Sequence, residues 1–432
     1  MTKISVIMPS LNVQKYIEQA VKSVMSQTLQ EIEIICVDAG STDGTVSILN
    51  ALASVDDRIK IIHSDKKSYG YQMNLGISHA VGEYIGIVET DDYVLHDMYE
   101  ELYRTAKTND LDFVKSDFYK FWWSEKYSQR VNVSPSSEYY GKVLTEKDRK
   151  IFFTFQSLNW TGIYKREYLL QNDIWHSDTP GASYQDIGFW LLNMSFARRA
   201  MWINKAFYMY RQDNPGSSMK DRGKMLCSLN EYERVLSILK KSGLKVAYLE
   251  CLLLKQTDYI VTFKRISDEI KREYLSEITD AYRIERELIT YDKLTNTQEY
   301  CIDWLDRAIN NPDEVCNSII AKNQYVLKEL RNADRIYLYG AGQIATDIFA
   351  KLYNLDFWGK VNKVVVSEQS ETEVFFQKCI CKWKEEQESI TQNDLLILAL
   401  GKKNREEVLS NINVNCSVLN PNDFQDLILT IL

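Results

Sequence analysis

The sequence predicts an α/β protein: a mostly parallel sheet first, then a helical middle segment, then a smaller α/β domain. Three observations carry this reading. Short β-rich runs alternate with helical patterns as far as Asp92. The stretch from 221 to 330 is amphipathic and almost free of Gly and Pro, and short apolar runs return after residue 331.

In chain order, the first part reads ISVIMPS as a strand, YIEQAVKSVMSQ as a helix, EIEIICVDAGS as a strand and TVSILNALASV as a helix. IKIIHSD follows as a strand, then a helix from Met73 to Ala80, and the strand of YIGIVETDD. The strands are near-continuous apolar runs, as expected where helices cover both faces of a sheet. Ligands of such sheets collect at the carboxyl ends of the strands. Those ends carry Pro9, Ser10 and Asn12, then Asp38, Gly40 and Ser41, then Glu89, Asp91 and Asp92. From about 111 to 220 the pattern is irregular and aromatic-rich, which predicts loops and mixed structure that complete a pocket and contact an acceptor. Runs such as MLCSLNEYERVLSILKK predict helices without visible chemistry. DRIYLYGAGQIATDIFAKLY, VNKVVVSE and DLLILALG predict a second nucleotide-binding-like fold. The expected domains are 1–220, 221–330 and 331–432.

The 432 residues, 45% of them hydrophobic, are enough for several cores. A net charge of -8 argues against a nucleic-acid partner, because phosphate-backbone affinity comes from clustered Lys and Arg. MTKISVIMPSLN enters a strand directly, without the apolar core of a signal peptide, which predicts a cytoplasmic protein. No run approaches the roughly 18 apolar residues of a spanning helix, so membrane contact is expected only as a peripheral one, at the inner face. The eight cysteines include a single close pair, Cys379 and Cys381, with no His beside it, and read as reduced thiols. The four histidines are isolated from one another, and a zinc site is not expected.

E-T-D-D at the end of an apolar strand places carboxylates where a hard divalent cation, Mn²⁺ or Mg²⁺, can share them with a diphosphate. The competing reading is an acidic turn that caps the next helix. V-D-A-G-S-T-D-G-T taken alone is a turn and helix cap. P-S-L-N, V-D-A-G-S-T-D-G-T and E-T-D-D in this order resemble the family-2 inverting glycosyltransferases of the GT-A fold, over roughly the first 220 residues. The resemblance implies that Pro9 and Asn12 border the nucleoside and that Asp38 binds the base. It also implies that Glu89 and Asp91 stand at the outer positions of a D-x-D motif, with Asp92 as the following acid. Three positions depart from the family pattern: Ala39 where an acid is common, Gln72 where Arg is frequent, and Asp213 where His is frequent, although Asp213 can still ligate a metal through oxygen.

S-Y-Q-D-I-G-F-W resembles the acceptor-side motif of that family and implies Asp186 as the catalytic base. The alternative for Asp186 is a helix N-terminal acid with no further role. Y-R-Q-D-N-P-G-S-S-M resembles the segment that closes over the diphosphate, with Arg211 and Ser217 meeting phosphate oxygens; the rival is a bare Asn-Pro-Gly turn. In the last domain, Gly340 and Gly342 follow a strand and open a helix, and Glu368 ends the next strand, the context of a dinucleotide fingerprint in a Rossmann-like domain.

The resemblance implies inverting, metal-assisted transfer of a hexosyl or N-acetylhexosaminyl group from a nucleotide-diphosphate sugar, with UDP the expected base. The expected acceptor is a hydroxyl of a glycan, lipid-linked or cell-surface polymer, and a homo-oligomer is compatible with the sequence. The alternatives are an NAD-linked oxidoreductase built on the C-terminal domain and a noncatalytic nucleotide-sugar-binding assembly protein.

Overall fold

The computed structural model describes residues 1–156, 158–182, 184–214, 227–289, 294–367, 374–412 and 414–424. The chain divides into two compact units, Met1–Asp258 with Leu288–Thr290, and Tyr259–Glu287 with Tyr291–Leu432.

The first unit opens with β1 (Ile4–Ser10), α1 (Ile17–Met25), β2 (Ile32–Asp38), α2 (Thr45–Ala53), β3 (Ile59–His63), α3 (Tyr69–His79) and β4 (Tyr84–Ile87). Every residue of β1 and β2 is buried, because helices pack on both faces of this part of the sheet. On α1 the buried residues are Ile17, Ala20, Val21 and Val24, the i, i+3, i+4, i+7 stripe of an amphipathic helix. Ser68 caps α3 by accepting the Tyr71 N–H.

Next come β5 (Tyr93–Val94), α4 (Met98–Asn109), β6 (Phe113–Trp122), β7 (Ser124–Val131), β8 (Leu144–Thr145) and α5 (Arg149–Phe152). β9 (Gly162–Lys165), α6 (Arg166–Gln171), α7 (Gln185–Phe196) and β10 (Arg199–Arg211) follow, then α8 (Cys227–Ser242) and α9 (Lys245–Arg265), whose residues from Tyr259 onward count with the second unit. Ten strands form one sheet with the path β3-β2-β1-β4-β9-β6-β10-β5. β3, β2, β1 and β4 are mutually parallel, β9 runs antiparallel to β4 and β6, and β6 and β10 are parallel. The expectation of irregular structure from 111 to 220 is therefore corrected in part: this stretch supplies the two longest strands of the sheet. Its aromatic residues are their packing, with Phe155 stacked on Trp202 at 3.7 Å and Trp160 on Tyr208 at 4.2 Å.

The second unit contains α10 (Lys271–Arg286), α11 (Asn296–Asn310), α12 (Pro312–Asn332), β11 (Ile336–Tyr339), α13 (Gln343–Asn354), β12 (Val361–Val366), β13 (Val374–Phe375) and β14 (Lys378–Lys382). α14 (Trp383–Glu386), β15 (Leu395–Leu398), α15 (Lys402–Asn411) and β16 (Ser417–Leu419) complete it. Its sheet has the order β13-β14-β12-β11-β15-β16, parallel apart from the β13 hairpin. With β13 set aside this is the 3-2-1-4-5 order of a doubly wound fold. All eight cysteines are free thiols; Cys36 is buried in the first unit, Cys301 and Cys316 in the second, and Cys379 is exposed.

Candidate active site

The carboxyl ends of β1, β2 and β4 form one rim. Asp38 closes β2, and its oxygens are filled by its own loop and the end of β1: they accept the N–H groups of Gly40 at 2.9 Å and Ser41 at 3.0 Å and the hydroxyls of Ser41 and Ser10. Gly40 takes φ +80°, the left-handed turn that this Asp-centred loop requires. Asn12 adopts φ +54° and accepts the Thr42 N–H at 2.8 Å, which pins the end of β1 to the same loop. Gln72 on α3 is buried and donates to the Ser10 carbonyl at 3.0 Å and the Val37 carbonyl at 2.6 Å. The amide that stands in place of an arginine therefore latches two strand ends together.

The acidic turn is tied from both sides. Thr90 donates to the Pro9 carbonyl at 2.7 Å, which sets Pro9 against the turn. Asp92 is buried and accepts the Tyr208 hydroxyl at 2.9 Å and the Arg211 N–H at 2.7 Å, joining the turn to the end of β10. Burial, then the neighbouring Asp91, holds the Asp92 carboxyl well above the usual carboxylate range. Asp92 is thus a brace, and Glu89 is the acid of the turn that lines the cleft. Glu89 accepts the Tyr69 hydroxyl at 2.7 Å, and Tyr69 in turn accepts the Asn159 amide at 2.9 Å. Loss of solvation pushes Glu89 up to about 8; the Tyr69 hydrogen bond opposes the rise, and the charges of Asp91 and Asp186 add to it. Asp91 accepts the Asn214 amide at 2.8 Å.

Arg211 lies between the rings of Tyr16 and Phe121, at 4.8 and 4.6 Å, and donates from Nε to the Asp91 carbonyl and from Nη2 to Gln19. In this arrangement its guanidinium positions the acidic turn. Asp213 lies 3.7 Å from that guanidinium, and its Oδ1 is buried without a hydrogen-bond partner. Ser217 lies outside the described residues.

Asp186 stands in the first turn of α7, after Tyr184 in the left-handed region at φ +65°. Desolvation pushes its carboxyl up to about 6, against the backbone N–H groups of Asp186 and Ile187 that favour the charged form, and Glu231 raises it further. Its charge acts on Glu89 and Tyr69, so the acid on α7 lies near the acidic turn. Beside Glu89 is a cleft of about 170 Å³, lined among others by Ser10, Ser68, Tyr69, Gln72 and Ala182.

Several residues of this site gave no signal in the sequence. Tyr69, Asn159, Tyr208 and Asn214 hold the acids through contacts that span long separations. Glu231 on α8 is buried beside Arg234 at 3.0 Å and receives the Ser177 hydroxyl. The segment expected to be without chemistry therefore supplies a charge that bears on Asp186. Glu231 shares the buried face of α8 with Tyr232, Val235, Leu236 and Leu239, and an acid on an apolar stripe was the readable clue.

Among the described residues no three His, Cys, Asp or Glu side chains converge as a ready-made cation cage, so Glu89, Asp91 and Asp213 are not gathered into one. Asp213, whose Oδ1 faces Arg211 without a hydrogen bond, and the partly exposed Asp91 nevertheless suit a cation that takes one or two carboxylates from protein and the rest of its shell from phosphate oxygens, as Mg²⁺ commonly does.

In the second unit Gly340 has φ +114°, and a Cβ there would lie 2.8 Å from the Ala399 carbonyl, while Gly342 caps α13. The large cavity of this unit, about 590 Å³, lies at Tyr339, Ser367 and Leu400 and is walled by α14 and α15, and neither glycine lines it. Glu368 lies outside the described residues.

Residues 5–169 match the family model described as Glycosyl transferase family 2. This domain belongs to glycosyl transferase family 2. Over 226 residues the chain is 33% identical to the uncharacterized glycosyltransferase EpsJ of Bacillus subtilis, covering 50% of this chain and 62% of EpsJ. It is 42% identical over 119 residues to the glycosyltransferase GlyG of Streptococcus pneumoniae, covering 27% of this chain and 40% of GlyG. The chain therefore spans less than two thirds of the length of these relatives. A cholesterol galactosyltransferase of Borreliella burgdorferi is 29% identical, with 61% of this chain and 75% of that protein covered. The crystal structure of S. aureus TarS 1-349 in complex with UDP superposes with a TM-score of 0.50 at 19% identity, over 72% of this chain and 92% of that one, which is a likeness of fold. Among the described residues no helix is long and apolar enough to cross a membrane.

Proposed function

We propose that the chain transfers a sugar, with inversion, from a nucleoside-diphosphate donor, a UDP-sugar, to a hydroxyl of a glycan, lipid-linked or cell-surface acceptor. The transfer is assigned to residues 1–220, with 221–330 as a helical linker and 331–432 as an accessory domain. The observation that carries this reading is that Glu89, which lines the cleft at the rim of the parallel strands of a family 2 domain, lies within the electrostatic reach of both Asp91 and Asp186. Asp186 is poised to take a proton: a carboxyl at about 6 is ionised at neutral pH and more basic than an exposed aspartate. As the acceptor oxygen attacks the anomeric carbon, its proton passes to Asp186 and the bond from that carbon to the diphosphate breaks. Asp91 and Asp213 are the residues that would hold a divalent cation, Mn²⁺ or Mg²⁺, with Glu89 beside them. When bound, such a cation supplies positive charge to the leaving diphosphate. Pro9, Asn12, Asp38 and Gln72 build the rim on which the nucleoside rests, and Asp92 and Arg211 hold the acids in place.

The test uses the purified chain and a panel of nucleotide sugars. Asp186→Asn is expected to keep donor-induced thermal stabilisation and lose about 10²- to 10⁴-fold in turnover. Asp91→Ala is expected to lose the cation-dependent part of UDP binding. Transfer at the wild-type rate by either variant would overturn the assignment.

A further inference from the structure

A second concavity of the first unit lies away from the acidic cleft, between α5, α8, the start of α9 and Leu288. It encloses about 560 Å³. Gly243 makes the turn between the two helices at φ +69°, with Leu244 N–H donating to the Leu239 carbonyl and Gly243 N–H to the Lys240 carbonyl, a Schellman cap that leaves the hairpin tip bare. The lining is mainly apolar, and Val246 and Leu288 stand 46% and 50% exposed at its mouth. Around it are Lys150, Lys240 and Lys245, all exposed, and among the described residues no acidic side chain lines the groove. None of the three lysines makes an ion pair with a described residue, on a chain whose net charge is -8.

We propose that this groove docks the first unit onto the surface of an anionic phospholipid bilayer. The apolar mouth seats against the acyl boundary, while the lysine stems run along it and carry their ammonium groups to the lipid phosphates. Charge decides between occupants. Lysine is depleted at protein–protein interfaces, where its mobile stem and strong hydration are costs, whereas beside an anionic leaflet each lysine adds to binding. This inference is independent of the transfer reaction, since no residue of the groove belongs to the cleft.

The experiment is co-sedimentation of the full chain with phosphatidylcholine vesicles and with mixed phosphatidylcholine–phosphatidylglycerol vesicles, at low and high salt. Binding is expected to the mixed vesicles only and to weaken with salt. The exposed pair Lys240→Gln and Lys245→Gln should weaken it on the order of 30-fold, the equivalent of two lysine contributions. Val246→Ser with Leu288→Ser should weaken binding while keeping its salt dependence. Equal binding to both vesicle types, no binding to either, or binding unchanged in the lysine variant overturns the proposal. So does self-association in sedimentation that the lysine variant abolishes, since the groove would then be occupied by a second copy. Unchanged circular dichroism of the variants, with donor-induced stabilisation intact, separates loss of docking from loss of fold.

Discussion

At the residue scale the chemistry rests on two carboxyls whose proton affinities are raised by the cleft. Asp186 titrates at about 6, so its basic form is lost as pH falls through that value, and the turnover number should drop about tenfold per pH unit below it. The stability consequence has the opposite sense to a salt-bridged acid. The folded state binds this proton more tightly than the unfolded chain, so ionised Asp186 destabilises the fold at pH values above about 6. That penalty disappears as pH falls below the ordinary aspartate value. Asp186→Asn should therefore combine its loss of turnover with a gain in stability over the parent of up to about 3 kcal/mol at pH 8, vanishing near pH 4, measured by urea denaturation. Glu89 is raised to about 8 in spite of the Tyr69 hydroxyl, which favours its charged form. Tyr69→Phe should raise it further and weaken Mn²⁺-dependent UDP binding at pH 7 by about tenfold, with recovery at higher pH because the cation must displace that proton. Calorimetric titration at two pH values reads both effects. A variant equally weak at both would place Tyr69 in packing alone.

At the scale of elements, the cleft depends on close approaches that only glycine permits. Gly70 in the first turn of α3 lies so near the segment after α6 that a Cβ would stand 1.8 Å from the Ser177 carbonyl, a backbone atom. Gly70→Ala should push that segment off α3, breaking the paired hydrogen bonds of Asn74 with His176, and cost about 2–3 kcal/mol by thermal denaturation. Gly188→Ala on α7 meets the Glu231 carboxylate at 2.0 Å, the end of a side chain that can yield, so its main effect should fall on the pH profile of Asp186. These elements also show what the sequence could reveal. β1 to β4 and the acids at their ends were legible because buried parallel strands and their rim follow from local pattern. The bracing of Asp92 was not, because its partners Tyr208 and Arg211 lie more than a hundred residues further along the chain. The carboxylate of Asp38 reads as a ligand in sequence, yet its donors come from Gly40, Ser41 and Ser10. β6 and β10 were hidden because their aromatic residues follow no clean alternation and β10 is bulged near Ala206.

For the whole molecule, two units with separate sheets and separate cores predict two thermal transitions. Since the acidic cleft lies entirely in the first unit, UDP with Mn²⁺ should raise only one of them. At a ligand concentration of about a hundredfold over its dissociation constant, the gain is about 2.7 kcal/mol. A calorimetric scan in which both transitions move together would mean that the units unfold as one.

The distribution of the thiols gives this division a clock. Cys36 is sealed in β2 beneath the cleft, and burial also pushes its thiol up to about 12, while Cys301 and Cys316 are sealed among the helices of the second unit and Cys379 is open to solvent. An alkylating reagent should consume Cys379 at once and reach the buried thiols, Cys36, Cys251, Cys301 and Cys316, only when their own unit opens, since reaction requires an accessible thiolate. Mass spectrometry of the modified peptides would then time the opening of each unit in the same unaltered chain, and the donor should lengthen the lifetimes of Cys36 and Cys251, the buried thiols of the first unit, and leave those of Cys301 and Cys316 unchanged.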